Sequence, residues 1–139
     1  MIVNVDVVVD RPRTEVFDAM ADARNEPAWN SQVSKCELVT EPPIGACTTF
    51  TTTNRGRPYA AEITTYERPE RLTFEVTGSQ LTIVGEMAFA EVDEGTSLTA
   101  HFDMAPKGVM KVLMPLMGRA IRRDFPQQFS SFKAFCESR

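Results

Sequence analysis

The run KGVMKVLMPLMGRAIRRDFPQQFSSFKAFCESR, residues 107–139, reads as one long helix. Val109, Leu113, Leu116, Ala120, Ile121, Phe125, Phe129, Phe132 and Cys136 recur at helical spacing and read as one continuous apolar stripe. Met110, Met114 and Met117 lie beside it. Methionine has three rotatable bonds and a polarizable sulfur, so it suits a surface that must fit a changing partner. Pro115 and Pro126 interrupt the run. Each removes a backbone hydrogen bond and crowds the preceding turn, so a kink or break is expected at both. The spacing thus predicts a loose opening from Lys107 to Met117 and a firmer helix from about Arg119 onward.

A helix with one apolar side needs a partner layer, and the residues before it supply a sheet. Six strands are predicted at 31–40, 46–54, 58–67, 70–77, 81–91 and 95–104. The breaks between them carry turn residues: Glu41-Pro42-Pro43-Ile44-Gly45, Asn54-Arg55-Gly56-Arg57, Arg68-Pro69-Glu70, Gly78-Ser79 and Asp93-Glu94-Gly95. Such short links make antiparallel hairpins, because parallel neighbours need long crossovers. One phase of these strands is apolar: Tyr59, Ala61 and Ile63; Leu72, Phe74 and Val76; Leu81, Ile83, Met87 and Phe89; Leu98, Ala100, Phe102 and Met104. The other holds Glu62, Thr64, Thr73, Glu75, Thr77, Thr82, Glu86, Thr99, His101 and Asp103. One wet face and one covered face are expected, with the long helix as the cover.

Upstream, residues 2–10 alternate with valines in one phase, which makes a further half-exposed strand. A short helix is predicted at Thr14–Ala21 and a second helical turn at Glu26–Trp29, after Asn25. The fold class is α+β, a seven-stranded curved antiparallel sheet around a long C-terminal helix, with two short helices after the first strand. The whole of 1–139 reads as one domain.

With 42% apolar and 24% charged residues, the chain has the composition of a soluble globular protein. A net charge of −4, with no basic run, argues against nucleic acid. Arg119, Arg122 and Arg123 form the densest cationic cluster, and with Asp124 beside them they read as a solvated helix face. No run approaches the roughly 20 apolar residues of a membrane span. MIVNVDVVVD has acids within its apolar run and reads as a strand and not as a signal peptide. Cys36, Cys47 and Cys136 are odd in number and lack metal-like spacing, which fits reduced thiols, a cytoplasmic location and no metal.

Chemistry-bearing residues are few. His101, the only histidine, is the obvious acid/base candidate, yet its phase puts it on the wet face unless a bulge between Thr96 and Met104 reverses it. Glu62, Glu75 and Glu86 share that face. Cys36 and Cys47 read as small packed hydrophobes. No phosphate loop or dinucleotide fingerprint is present, so no cofactor is expected. Tyr59 and Trp29 each join an apolar body to one polar tip. For Tyr59, donation to a ligand carbonyl and a core position with its hydroxyl at the rim are both open. Trp29 is either a packing anchor or a ligand contact.

Val8-Val9-Asp10-Arg11-Pro12 followed by Glu15-Val16-Phe17, the segment DARNEPAW at 22–29, Glu67-Arg68-Pro69-Glu70-Arg71-Leu72, Glu94-Gly95-Thr96-Ser97-Leu98, and LMPLMGR followed by FSSFKAF occur in that order. Together they resemble the START and birch-pollen-allergen (SRPBCC) superfamily, and within it the polyketide cyclase/dehydrase and lipid-transport group. The resemblance implies a helix-grip fold and a small hydrophobic ligand, polyketide- or lipid-like, held between sheet and helix. It also implies lining residues: Trp29, Phe50, Tyr59, Phe74, Met87, Phe89, Phe102, Met110, Met114 and Met117. The alternative is a cyclase or dehydratase acting in the same cavity, although no ionisable residue falls clearly in the inward phase of the sheet. Monomer and homodimer are equally compatible with one wet sheet face.

Overall fold

The computed structural model describes residues Met1–Arg139. Its elements run β1 (Ile2–Val9), α1 (Arg13–Ala21), a 3-10 turn (Ala23–Asn25), α2 (Glu26–Trp29), β2 (Val33–Leu38), β3 (Thr49–Asn54), β4 (Arg57–Glu67), β5 (Arg71–Thr77), β6 (Leu81–Val92), β7 (Gly95–Pro106) and α3 (Met110–Glu137). The strands form one seven-stranded antiparallel sheet in the order β1-β7-β6-β5-β4-β3-β2. This is the helix-grip arrangement: a curved sheet closed around a long terminal helix.

The expected phases hold along most strands. In β7, Thr96, Leu98, Ala100, Phe102 and Met104 are buried while Thr99, His101 and Asp103 are exposed. Pairing on both sides of β7 is unbroken, so no bulge turns His101 inward. A bulge does occur in β4, between Ile63 and Thr65. It shifts the phase and brings Tyr66 to the inner face, where its ring meets Phe17 edge-on at 5.2 Å.

Three helices cover the inner face, not α3 alone. Phe17 of α1 is fully buried and packs edge-on against Phe89 at 5.1 Å. Trp29 of α2 meets the fully buried Phe132 of α3 at 5.2 Å. Each such phenylalanine contributes about 1.5–3 kcal/mol through burial.

The long helix departs from expectation in two ways. It is continuous through Pro115 and Pro126, with no break and no unwound opening. Both prolines are exposed, so the carbonyls they leave unpaired lie where water can reach them. The single apolar stripe also proves to be two. Ala120 and Ile121 are adjacent, a step of about 100° around a helix, so the reading joined different faces. Phe129, Phe132 and Cys136 are buried, but Val109, Leu113 and Leu116 are 60%, 40% and 79% exposed. In the front half Met114 takes the inner position, at 3% exposure.

The segments that carried the family resemblance act as fasteners. The Asp10 N–H donates to Glu137 Oε2 at 2.8 Å, and Arg11 Nη2 donates to the Glu137 carbonyl, tying the β1–α1 junction to the end of α3. Arg68 grips Asp18 of α1 through two bonds of 2.7 Å. Gly95 has φ +127°, and a Cβ there would lie 2.2 Å from the Val9 carbonyl oxygen, so no other residue fits. Thr96, fully buried, donates its hydroxyl to the Arg11 carbonyl at 2.8 Å.

Candidate functional site

Helix α3 does not lie evenly over the sheet. On one side Gly118 lies beside Met1, and Arg122 Nη1 donates to the Ile2 carbonyl at 3.0 Å. On the other, Asp124 accepts from Arg55 of the β3–β4 turn at 3.2 Å and from Gln32 at 3.3 Å. Met117 is seven residues before Asp124 and Leu113 four before Met117, so all three follow the side that faces β3 and β4. Leu113 and Met117 stay 40% and 36% exposed. The start of the helix is held near the β5–β6 turn, where Lys107 N–H donates to the Gln80 carbonyl at 2.8 Å and Lys107 Nζ to the Gly78 carbonyl at 3.2 Å.

At that same end the inner face of the sheet is incompletely covered. Tyr59 and Ala61 of β4, Phe74 and Val76 of β5, and Leu81 and Ile83 of β6 are only half-buried. Deeper in, Phe50, Ile63, Leu72, Met87 and Phe89 are 2–4% exposed. An aromatic partition separates the two regions: Phe102 stands 6.1 Å from Phe74, 4.9 Å from Phe125 and 5.9 Å from Phe129. The Phe74 ring lies over Gly85, and the Tyr59 ring over Gly78; a Cβ at either glycine would come within 2.5 Å of the ring.

The expected lining residues therefore occupy distinct places. Phe50, Met87, Phe89, Phe102 and Met114 are buried core. Tyr59, Phe74 and Met110 are half-buried and Met117 lies at the rim. Trp29 sits at the far end, against Phe132, and its indole Nε1 is buried without a hydrogen-bond partner.

One residue of this region was missed from the sequence. Glu26 is three residues before Trp29 and so on the same side of α2. Desolvation alone pushes its carboxyl from 4.5 up to about 7. Strand phase gives no sign of Glu26, which is on a helical turn. Cys36, inward on β2, has its thiol pushed up to about 11, first by burial and then by the Glu26 and Asp22 charges, and is no nucleophile at neutral pH. Cys47 does not pack; it is exposed, in a left-handed turn at φ 69°.

A separate concavity lies elsewhere: an open groove of about 750 Å³ on the outer, polar face of the sheet. Its floor includes Asn4, Asp6, Glu67, Arg71, Glu86, Thr99 and His101. His101 is exposed there, with Nδ1 2.7 Å from Asn4 Oδ1. No three His, Cys, Asp or Glu side chains gather as a metal site would require, and no helix is long and apolar enough to cross a membrane.

Residues 1–137 match the sequence profile of the family described as polyketide cyclase / dehydrase and lipid transport. The chain belongs to this family. Solved structures agree on its fold. A hypothetical protein of Helicobacter pylori superposes with a TM-score of 0.81 at 15% identity, covering 98% of this chain and 88% of its own. Ara h 8.0201 gives 0.70 at 14% identity, with 100% and 99% covered. The di-domain ARO/CYC BexL from the BE-7585A biosynthetic pathway gives 0.73 at 16%, with 99% and 49% covered. No protein of curated function matches. Within the polyketide cyclase/dehydrase and lipid-transport family, then, this member combines a tightly packed deep core with an uncovered apolar region under the front of α3.

Proposed function

We propose that the protein binds a small hydrophobic or aromatic molecule, polyketide- or lipid-like, between the front half of α3 and the inner face of β4–β6. The observation that carries this reading is the facing pair of uncovered apolar surfaces. Tyr59, Phe74, Leu81 and Ile83 remain half-buried on the sheet while Leu113 and Met117 remain exposed on the helix side turned toward them. A ligand covering both gains about 25 cal/mol per Å² of apolar area removed from water. Tyr59, half-buried on β4, offers a hydroxyl to orient it. The relatives named ARO/CYC and Ara h 8.0201 share the fold and are compatible with this use.

The test is titration with an apolar fluorescent probe such as N-phenyl-1-naphthylamine. Saturable binding to the protein, weakened by Met117→Trp, is the expected result. Failure of every apolar probe to bind overturns the reading.

Glu26 favours a second reading, in which the ligand is cyclised or dehydrated. A carboxyl pushed up to about 7 by burial, on the same side of α2 as the unpartnered Trp29 N–H, is suited to moving a proton at pH 7. This reading puts the substrate at the α2 end, away from the front of α3. On this reading Glu26→Gln abolishes turnover of a polyketide-like substrate while its binding persists. Turnover that survives Glu26→Gln eliminates it.

A further inference from the structure

The front of α3 carries a second unusual surface, on the side turned away from the sheet. Val112, Leu116, Arg119 and Arg123 follow one another at spacings of four, three and four, so they form a single outward stripe. Val112 and Leu116 are 70% and 79% exposed. Five of the ten large apolar side chains that the protein exposes fall between Val109 and Met117.

Charge is segregated in the same place. Residues 107–123 contain Lys107, Lys111, Arg119, Arg122 and Arg123 and no acid, whereas the remaining residues hold ten cations against nineteen acids. An acidic protein thus concentrates positive charge around its most exposed aliphatic side chains; Arg123 pairs with Asp124 at 3.3 Å, while Lys111 and Arg119 make no ion pair. A merely solvated helix face would not need Val112 and Leu116. A contact with a neutral protein would not need the cations. Exposed aliphatics flanked by Lys and Arg on one helix face match an anionic lipid surface, which takes the aliphatics into its acyl boundary and pairs the cations with headgroups.

We propose that the outer face of Val109–Arg123 docks on anionic phospholipid bilayers. Docking lays Val112 and Leu116 into the bilayer and holds Lys111 and Arg119 at the headgroups. It also brings the gap beside Leu113 and Met117 to the membrane surface, where an apolar molecule could pass without crossing water. The docking itself requires no bound ligand, so it stands apart from the ligand-binding reading.

The test is co-sedimentation of the full chain with phosphatidylcholine vesicles prepared with and without phosphatidylglycerol. Binding is expected only to the anionic vesicles, and should weaken as salt rises. The double variants Val112→Ser/Leu116→Ser and Lys111→Glu/Arg119→Glu should each reduce it at least about tenfold. Circular dichroism and N-phenyl-1-naphthylamine binding in solution should stay unchanged. Equal binding to neutral vesicles, no binding to either, or binding indifferent to both double variants overturns the proposal. A dimer that dissociates on Val112→Ser/Leu116→Ser, without vesicle binding, assigns the face to a second copy and overturns it equally.

Discussion

Asp124 of α3 and Arg55 of the β3–β4 turn meet at 3.2 Å across the open side of the molecule, with the Asp124 side chain only 17% exposed. With Arg122 on the Ile2 carbonyl and Arg11 and Asp10 on Glu137, this pair fixes the middle and end of the helix. The front two turns have no such tie to β3–β5. Helix α3 is therefore held from its middle onward and at the Lys107 anchor before its first turn, and between these its opening turns rest on packing by Met114.

Breaking the Asp124–Arg55 pair should act on access more than on stability. Arg55 is 58% exposed, so Arg55→Ala is expected to cost only about 0.5–1 kcal/mol in urea unfolding. The same variant should speed dissociation of a bound apolar probe in stopped-flow measurements. An unchanged off-rate would show that the helix does not need this pair to stay in place.

Met114 and Met117, three residues apart, should respond in opposite ways. Met114 is 3% exposed, so Met114→Ala is expected to cost about 2–4 kcal/mol in stability. Met117 is 36% exposed, and Met117→Ala should cost less than about 1 kcal/mol while lowering probe affinity about three- to tenfold. Equal stability losses would contradict the inward and rim placements.

Glu26 predicts a pH dependence of stability. Below pH 4.5 its carboxyl is protonated in both folded and unfolded chains. Between 4.5 and about 7 the folded chain keeps a proton that the unfolded chain has released. Stability therefore falls as pH rises through that window and stays reduced above it. Glu26→Gln should remove the slope and add about 1–3 kcal/mol near pH 8, read from urea midpoints at several pH values. A variant with the same pH profile as the parent would show that Glu26 is hydrated.

Gly85→Ala probes the aromatic partition. Its Cβ would lie 2.5 Å from Phe74 Cζ, so the ring must swing aside. A loss of about 1–3 kcal/mol and an altered near-ultraviolet dichroism spectrum are expected. No change in that spectrum would mean that Phe74 already avoids Gly85.

Most of the fold could be read from two-residue alternation and turn residues, because those signals are local. The valines of β1 and the Leu98-to-Met104 phase of β7 are where the pattern puts them. What failed was information that depends on three dimensions. The β4 bulge that turns Tyr66 inward leaves no mark in composition. The apolar stripe of α3 was misjoined at Ala120–Ile121 because spacing alone does not say which helix face meets the sheet.

The candidate site was harder to read for a related reason. Aromatic and methionine side chains fill the deep core and border the uncovered region alike, so Phe89 and Phe74 look the same in sequence. Their difference lies in what covers them: Phe17 over one, and nothing complete over the other. Glu26 was hidden because helical turns of four residues have no useful periodicity. Of the residues in the motifs that carry the resemblance, Arg11, Arg68 and Gly95 brace the scaffold, so these carry the fold and are silent on the ligand.

The strand order has a consequence for how the chain is made. β1 pairs only with β7, and its junction with α1 is secured by Glu137 near the opposite end of the sequence. During synthesis β1 must wait for a neighbour that emerges roughly a hundred residues later. Until then the hairpins of β2–β6 present their apolar side to the cell without α3 to shield it. Folding is accordingly governed by long-range closure and is slow for a chain of this length. The species expected to be most prone to aggregation is the unfinished polypeptide, whose uncovered sheet face is the surface proposed above to receive a ligand.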